Sequence, residues 1–544
     1  MMRFFILLPV NPFVTIHPLT RSGLSRTAPV ILLLFFWTIS IWNLDRIPIV
    51  HPDEPWILSP GYKLFTQGVY GSDLFAGFNG MEYIYFEFMP LMSLLQGAGA
   101  MFFGVGVLQM RIIPVILGAV TLVLSFALAR RILNTTTGVM TMFLLLFWQW
   151  AISGNRLFGS GIPLIDLSRI ARYDILVAPL GLSALLLWMR ARRTYFWRYY
   201  FLSGLLAGFA GMTHLYGAFW VAALIVLHLL DHLWFERRSV FRATGLIVGG
   251  AGVVWLIWII VALLNWNYFV GQTTQYSERF NIFNAAFYLQ NLALEGQRYN
   301  LGIRNVQSLA RIGLWMLVGG VPLAIVWGVV RAARDQYRPA VWLLVPSILF
   351  PILFALLIRV KTFNYLISIA PFYALILAWC FVTLFNSGRR ARWAVVLILT
   401  ITTLQSAWSI GTMQQFANRF GRSTEIFYQD LRRVTPAQGR ILGAPQYWLA
   451  MPHREYRATI LPFFLSNPRL NQHPLEFDEA LTQIKPDIIF IDAHIADISD
   501  NYGDHLREAR RTPLRNFLRK HNARLTAEIG DNFGEIFQIY QLEW

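Results

Sequence analysis

The sequence predicts a polytopic α-helical membrane protein that ends in a small extracytoplasmic α/β domain. Of its 544 residues, 56% are hydrophobic and only 14% are charged, and the mean hydropathy is +0.49. Apolar runs of about 17 to 25 residues recur along the chain, and each is long enough to cross roughly 30 Å of hydrocarbon as a helix. After about Phe416, short apolar runs alternate with polar, helix-like stretches, a pattern typical of a soluble α/β fold, and strands are expected at 487–491 and 534–542. These features exclude a wholly soluble protein.

The basic loops predict the orientation in the membrane. The net charge is +17, and the arginines cluster in short loops between apolar runs. Because positively charged loops stay in the cytoplasm, segments 236–242, 331–338 and 389–392 are predicted to lie inside, and segments 265–304 and 410–544 outside. Topology and contact with anionic lipid headgroups therefore explain the positive charge, and we expect no nucleic-acid partner.

This alternation predicts about eleven spans in a cell membrane. The apolar stretch 83–103 contains Pro90 and several glycines, so we expect a juxtamembrane helix that does not cross. Residues 1–28 lack a convincing cleavage site, so the first span is predicted to be a signal-anchor with a cytoplasmic N-terminus. The early spans are expected at 29–44, 109–129, 135–151, 173–189, 198–213 and 214–231. The predicted units are a membrane domain, 1–411, with a first outer loop at 45–108, and an outer domain, 412–544.

Ionisable residues gather at the predicted outer ends of the spans. Each costs about 2.5 to 3.5 kcal/mol at mid-bilayer and less at the interface, so their convergence favours partnership or function. A carboxylate that faces several cations has the arrangement needed to remove a proton beside a bound phosphate. Lys361 and Tyr365, spaced i, i+4, are predicted to share one helix face. The candidate residues are Asp53, Glu54, Arg111, Arg172, Asp174, His214, Lys361 and Tyr365.

A structural explanation stays open for each of these residues. An isolated arginine at a span end is often a snorkelling anchor, which is the favoured explanation for Arg156 and Arg169. His214 also fits a helix cap, and Asp174 fits an N-terminal carboxylate stabilised by the helix dipole. Lys361 also fits an interfacial anchor.

The remaining motifs narrow the function further. The single cysteine, Cys380, lies in an apolar run, so no intramolecular disulfide can form. The absence of phosphate-binding loop, nucleophile-elbow and paired-cysteine motifs argues against ATP-driven transport and the common hydrolase and zinc folds. In the tail, an acidic and histidine cluster fits either a divalent cation site or a solvated strand exit. This cluster contains Asp492, His494, Asp497 and Asp500.

Four places in the first 385 residues or so carry a family resemblance. The chain resembles the dolichyl-phosphate-mannose-protein mannosyltransferase superfamily, the multi-span C-type glycosyltransferases that include bacterial lipid A aminoarabinose transferases. The matching segments are His51-Pro52-Asp53-Glu54, Met110-Arg111-Ile112-Ile113-Pro114 with 117–121 and 129–131, Ala171-Arg172-Tyr173-Asp174-Ile175-Leu176, and 361–371. The chain lacks the sugar-binding β-trefoil insertion of the protein mannosyltransferases, and His214 stands where many relatives have lysine.

The resemblance implies an inverting hexosyl- or pentosyltransferase of the cell envelope that uses a polyprenyl-phosphate-linked sugar. It implies that Asp53 is the catalytic base and that Glu54 and Arg111 organise the site. Leaving-group phosphate is expected to bind Arg172, Lys361, Tyr365 and His214, with Arg111 also near it and Asp174 in support. The long outer loop 265–304 is expected to cover the acceptor groove.

The resemblance leaves the acceptor open among lipid, glycan and protein hydroxyls. No cofactor is predicted, although a divalent cation is an option. Two other classes of function also stay open. A lipid or solute transporter would share the intramembrane charges but is expected to show repeat symmetry and broken helices, which the sequence lacks. A non-catalytic component of glycan assembly would keep the fold without the base.

Overall fold

The structure is a computed structural model of the chain. It describes residues 24–544 apart from 151–158, 236–239, 275, 277–278, 280, 300–310, 335–337, 419–421, 472, 493–513, 515 and 532–534. Arg156 and the tail residues His494, Asp497 and Asp500 lie outside the described residues. Long helices dominate the described part as far as Asn418, and a sheet forms only after it.

Within the described residues, seven helices are long and apolar enough to cross a membrane. Their interiors are rich in leucine, valine and isoleucine, and charged residues are confined largely to their ends, as hydrocarbon burial requires. The seven are Val107–Ile132, Asp174–Thr194, Leu215–Leu233, Val240–Leu264, Ile312–Arg334, Ala370–Ser387 and Arg389–Asn418. The prediction of a polytopic helical membrane protein is confirmed.

Four shorter helices occupy the other predicted spans. They are Leu24–Ile41, Thr135–Phe147, Trp197–Thr213 and Val341–Leu357. A helix therefore stands at each of the six early spans, and five further apolar helices lie between the loops that follow, up to Asn418. The number of helices that cross, and the direction in which they cross, stay predictions. Thr135–Phe147 ends four residues before the predicted limit at 151, because the chain becomes extended at Trp148.

The first outer loop contains two helices that pack on each other, Asp53–Gln67 and Pro90–Phe103. Asp53–Gln67 begins with two carboxylates, which the helix dipole stabilises, and ends at Gly68 in the left-handed region with φ 75°. Gly61 and Gly97 face each other so closely that a Cβ on either would clash with the other helix's backbone. The two helices therefore cross with their backbones in close contact.

Further short helices lie in the loops and in the tail. They are Pro163–Leu167, Trp266–Thr273, Ala285–Ala293, Glu295–Arg298, Thr424–Val434, Leu461–Ser466 and Phe477–Ile484. Trp266–Thr273 is fastened to the first outer loop by Gln272, whose amide accepts the Phe86 N–H at 2.7 Å and donates to the carbonyls of Asn79 and Ile84. The two outer loops are therefore joined at this point.

The tail forms a mixed sheet of five described strands. They are Ile441–Gly443 (β1), Tyr456–Ala458 (β2), Ile488–Ile491 (β3), Arg524–Gly530 (β4) and Ile536–Gln541 (β5). Their order in the sheet is β2-β1-β3-β5-β4. β1 pairs in parallel with β2 and β3, whereas β5 runs antiparallel to β3 and β4. The predicted α/β tail is confirmed, and β3 and β5 lie where strands were expected.

The tail and the first outer loop share one hydrophobic core. Phe464 of the tail packs on Trp56, Phe75 and Phe78, with ring centroids 6.2, 5.8 and 5.2 Å apart. The Tyr62 hydroxyl lies 3.0 Å from His453 Nδ1. The helix Arg389–Asn418 also continues past residue 411, so the predicted boundary at 411/412 falls inside a helix. The division into two domains stays a prediction.

Candidate active site

Asp53 stands at the first turn of its helix, directly after Pro52. Its N–H donates to His51 Nδ1 at 3.1 Å, and its carboxylate accepts a hydrogen bond from Nη1 of Arg172. The side chain of Asp53 keeps 21% of its surface exposed. The carboxylate is therefore paired with a cation and remains accessible at the protein surface.

The neighbouring charges set the protonation of Asp53 and His51. Burial alone would raise the pKa of Asp53, but the charge of Arg172 and its hydrogen bond hold it below its usual value. Burial lowers the pKa of His51, and the charge of Arg172 lowers it further, while nearby carboxylates only partly offset this. Because Nδ1 of His51 accepts a hydrogen bond, the neutral ring carries its proton on Nε2.

Arg172 joins two carboxylates. Besides its contact with Asp53, its Nε donates to Asp174 Oδ2 at 3.0 Å, and its Nη2 donates to the Tyr173 hydroxyl at 3.0 Å. Asp174 also accepts the Tyr216 hydroxyl at 3.1 Å, and its side chain is 1% exposed. Asp174 is therefore the buried partner of Arg172, and Asp53 is the accessible one.

Glu54 makes a separate, fully enclosed pair with Arg111. Two parallel hydrogen bonds of 2.9 and 2.7 Å join the side chains, and both side chains are 0% exposed. Glu54 also accepts the N–H groups of His51 and Ala171, each at 2.8 Å. Nη1 of Arg111 donates to the carbonyls of Leu44 and Pro48. The pair ties the loop before Asp53 to the segment that carries Arg172.

An aromatic group continues the site beyond Arg172. The His214 ring lies 4.7 Å from the Tyr173 ring, 4.2 Å from Tyr216 and 5.1 Å from Tyr365, between centroids. Burial, with the charges of Arg172 and Arg279, lowers the pKa of His214 to about 3. Its Nδ1 accepts the Tyr216 N–H at 3.3 Å, which also makes it a helix-capping residue. His214 is thus a neutral ring in this site.

A second cationic cluster lies on the other side of Tyr365. Lys361 Nζ is 2.7 Å from Glu295 Oε2 and donates to the carbonyl of Ala355 at 3.0 Å. Arg298 is fully buried, contacts Glu295 at 2.7 Å, and lies over the Tyr365 ring at 5.8 Å. Its Nη1 has no hydrogen-bond partner among the described residues. Two cations therefore share one carboxylate beside the aromatic group.

The predicted helix face of Lys361 and Tyr365 is wrong. Lys361 lies in an extended segment, and the next turns, Phe363–Ser368, form a 3₁₀ helix, so the i, i+4 relation does not apply. The two residues are instead linked through Arg298, which stacks over Tyr365 and shares Glu295 with Lys361.

The structure brings most of the predicted site residues together. Asp53, Arg172, Asp174, His214 and Tyr365 form one continuous set of contacts, and Lys361 joins it through the second cluster. Glu54 and Arg111 are adjacent to this set but enclosed. Arg169, expected to be an anchor, is instead buried and donates to the carbonyls of Ile39 and Ile47.

Sequence reasoning missed Glu295 as a partner and Arg279 as a neighbour of the site. Glu295 is a rare acid in an outer loop and precedes Arg298 by three residues, a spacing that predicts an ion pair on a helical turn. Arg279 is exposed, and its charge acts on both His214 and Tyr365. Both residues lie on the long outer loop, so that loop contributes charge to the site.

The described residues do not group into a metal site. Among them, no group of three or more histidine, cysteine or acidic side chains is arranged so that it could hold a metal ion. Asp53 and Asp174, the carboxylates best placed to hold a cation, both contact Arg172. In the tail, the carboxylate of Asp492 accepts a hydrogen bond from the Tyr447 hydroxyl.

The arrangement suits displacement of a phosphate by a hydroxyl. An accessible carboxylate can accept a proton, and the neighbouring cations can stabilise a departing anion.

Solved structures share this architecture over nearly the whole chain. ArnT from Cupriavidus metallidurans bound to undecaprenyl phosphate matches with a TM-score of 0.58 at 16% identity, covering 94% of this chain and 98% of that one. The same protein in the apo state matches with a TM-score of 0.57 at 14% identity, covering 95% and 98%.

An archaeal enzyme is similar as well. The Archaeoglobus fulgidus oligosaccharyltransferase tethered with an acceptor peptide has a TM-score of 0.52 at 13% identity, covering 88% of this chain and 70% of that one. No protein-family model and no curated protein sequence matches the chain. The narrower resemblance to the mannosyltransferase superfamily stays a prediction, but the chain has the C-type glycosyltransferase fold.

Proposed function

We propose that the chain is an inverting glycosyltransferase that moves a sugar from a polyprenyl-phosphate donor to an acceptor hydroxyl at the outer face of the membrane. The observation that carries the proposal is the convergence of an accessible carboxylate, Asp53, with Arg172 and the Lys361 cluster from distant parts of the chain. ArnT, which shares the fold, is described with bound undecaprenyl phosphate, which supports a donor of this class.

In the proposed reaction, Asp53 accepts the proton of the acceptor hydroxyl. The acceptor oxygen then bonds to the anomeric carbon as the bond from that carbon to the phosphate oxygen breaks, and polyprenyl phosphate leaves with the electron pair. Attack opposite the leaving group inverts the configuration. Fixed cations stabilise the developing negative charge without reorganisation. We assign this role to Arg172, Lys361 and Arg298, and the Arg298 guanidinium lies over the Tyr365 ring.

The enclosed pair takes a different role in the proposal. Glu54 and Arg111 use their hydrogen bonds on each other and on backbone groups, so we assign them to positioning rather than to proton transfer or phosphate binding. Asp174 supports Arg172. His214 is neutral, so it contributes a ring and a hydrogen-bond donor rather than a charge.

A membrane-embedded donor fits the location of the site. The helices that surround it are apolar enough to lie in hydrocarbon, so a polyprenyl chain can approach between them while its phosphate meets the cations.

The donor class can be tested directly. Purified full-length protein is mixed with membranes as the acceptor source and with radiolabelled sugars carried either on polyprenyl phosphate or on nucleotides. The proposal expects label to reach an acceptor only from the lipid-linked donor. Transfer from nucleotide sugars would contradict it, and absence of transfer from every donor, with binding or flux of the lipid retained, would favour a transporter or a glycan-assembly component.

A further inference from the structure

Arg172 is shared unequally between its two carboxylates. Asp174 is buried, accepts a second hydrogen bond from Tyr216, and meets Nε, the nitrogen nearest the arginine stem. Asp53 meets the outer nitrogen Nη1 and remains partly exposed. Breaking the contact with Asp174 would leave a buried carboxylate without its cation, which is costly, whereas Asp53 can be solvated. The contact between Arg172 and Asp53 is therefore the exchangeable one.

This contact conflicts with catalysis by Asp53. A carboxylate bound to a guanidinium is stabilised in its charged form and is a weak proton acceptor. A phosphate is also a strong acceptor for the planar fork of an arginine. Asp53 and a donor phosphate therefore have reason to compete for the same nitrogen.

We propose that the donor phosphate takes Nη1 of Arg172 from Asp53, so that Asp53 becomes a competent base only when the donor is bound. This inference rests on the proposed function and adds an order to it, with donor before acceptor. It also explains how a site open to water avoids activating a hydroxyl when no donor is present. Asp174 and the Tyr173 hydroxyl keep Arg172 in place during the exchange.

Competition has a thermodynamic consequence that binding alone can measure. If phosphate must displace Asp53, then removing the charge of Asp53 must tighten phosphate binding by the same coupling. A charge-assisted hydrogen bond corresponds to about a tenfold or larger change in affinity. We expect Asp53→Asn, a variant that loses the base, to bind undecaprenyl phosphate about tenfold more tightly than the wild type.

A double-mutant cycle separates exchange from simple repulsion between Asp53 and the phosphate. The dissociation constant of undecaprenyl phosphate is measured by calorimetry in lipid nanodiscs for the wild type, Asp53→Asn, Arg172→Gln and the double variant. Thermal unfolding checks folding, and Arg172→Lys, which keeps the charge, substitutes where Arg172→Gln does not fold. Asp73→Asn, which removes the partner of Lys63 away from the site, is the matched control.

The proposal expects Asp53→Asn to bind more tightly and expects this gain to disappear when Arg172 is replaced. A gain that persists without Arg172 would mean long-range repulsion and would overturn the exchange. Equal affinity of Asp53→Asn and the wild type would overturn it as well. If the wild type and every folded variant fail to bind undecaprenyl phosphate, the proposed function fails together with the exchange. If they bind but the affinities do not follow the expected pattern, only the exchange fails.

Discussion

Two adjacent carboxylates, Asp53 and Glu54, pair with two arginines in opposite ways. Glu54 and Arg111 are both enclosed and satisfy each other with two parallel hydrogen bonds. Asp53 instead shares Arg172 with Asp174 and stays open to the outside. The difference shows that an acidic pair in sequence need not be a catalytic pair in space. Glu54 is confined to an enclosed contact, whereas Asp53 remains accessible.

The largest expected effect breaks the enclosed pair. Glu54→Gln leaves Arg111 as a buried charge without its counter-ion, so we expect the free energy of unfolding to fall by about 3 to 5 kcal/mol. Denaturant unfolding of the purified protein measures it. Asp53→Asn is the matched control and should change stability far less, because Asp53 is partly exposed. Equal losses in the two variants would remove the contrast between the pairs.

A second effect concerns the tail, which packs against the loop that carries both carboxylates. Phe464→Ala removes a buried ring that contacts Trp56 and Phe75, so we expect a loss of roughly 3 kcal/mol in unfolding free energy. Phe463→Ala, in the partly buried neighbouring position, should cost less. Turnover per folded molecule should fall in Phe464→Ala and recover in Phe464→Leu. A stable, fully active Phe464→Ala would mean that the tail does not support the site.

A third effect sharpens the assignment of the second cationic cluster. Lys361→Met removes a cation beside Tyr365 and Arg298, so the KM for the lipid-linked donor should rise about tenfold, with a smaller change in kcat. Steady-state transfer at varied donor concentration measures both constants. Lys63→Met, which loses a pair outside the site, should leave the KM unchanged. A normal donor KM in Lys361→Met would exclude Lys361 from donor binding.

The smallest effect is the pH dependence of the Asp53 contact. Its pKa is depressed in the folded protein, so the contact stabilises the fold above the pKa of an unfolded aspartate and is lost as the pH falls through the lower folded value. The difference in thermal midpoint between the wild type and Asp53→Asn should stay constant from pH 8 to 5 and shrink below about pH 4. A difference that already shrinks well above pH 5 would mean that a group other than Asp53 controls the contact.

Much of the architecture was predictable because hydrocarbon imposes strong patterns on sequence. Helices stand at all the expected spans, and β3 and β5 lie at the expected apolar runs of the tail. The importance of the Asp53 and Glu54 pair was also visible, since acids are rare in this chain. These features depend on local composition, which a single sequence carries.

The division of labour within the pair was not predictable. Consecutive residues on a helix point about 100° apart, so only the packing decides which carboxylate meets Arg111 and which meets Arg172. Glu295 and Lys361 are far apart in sequence, and their contact depends on how the outer loop folds back. The shared core between the tail and the first outer loop depends in the same way on tertiary packing.

The most direct test of the account measures sugar transfer by Asp53→Asn. Single-turnover transfer from a radiolabelled polyprenyl-phosphate sugar is compared between the wild type and Asp53→Asn, normalised to the folded fraction of each. Loss of a general base predicts a fall of about a hundredfold or more, while the thermal midpoint changes only slightly because Asp53 is partly exposed. Turnover by Asp53→Asn equal to that of the wild type would show that Asp53 is not the base and would contradict the account.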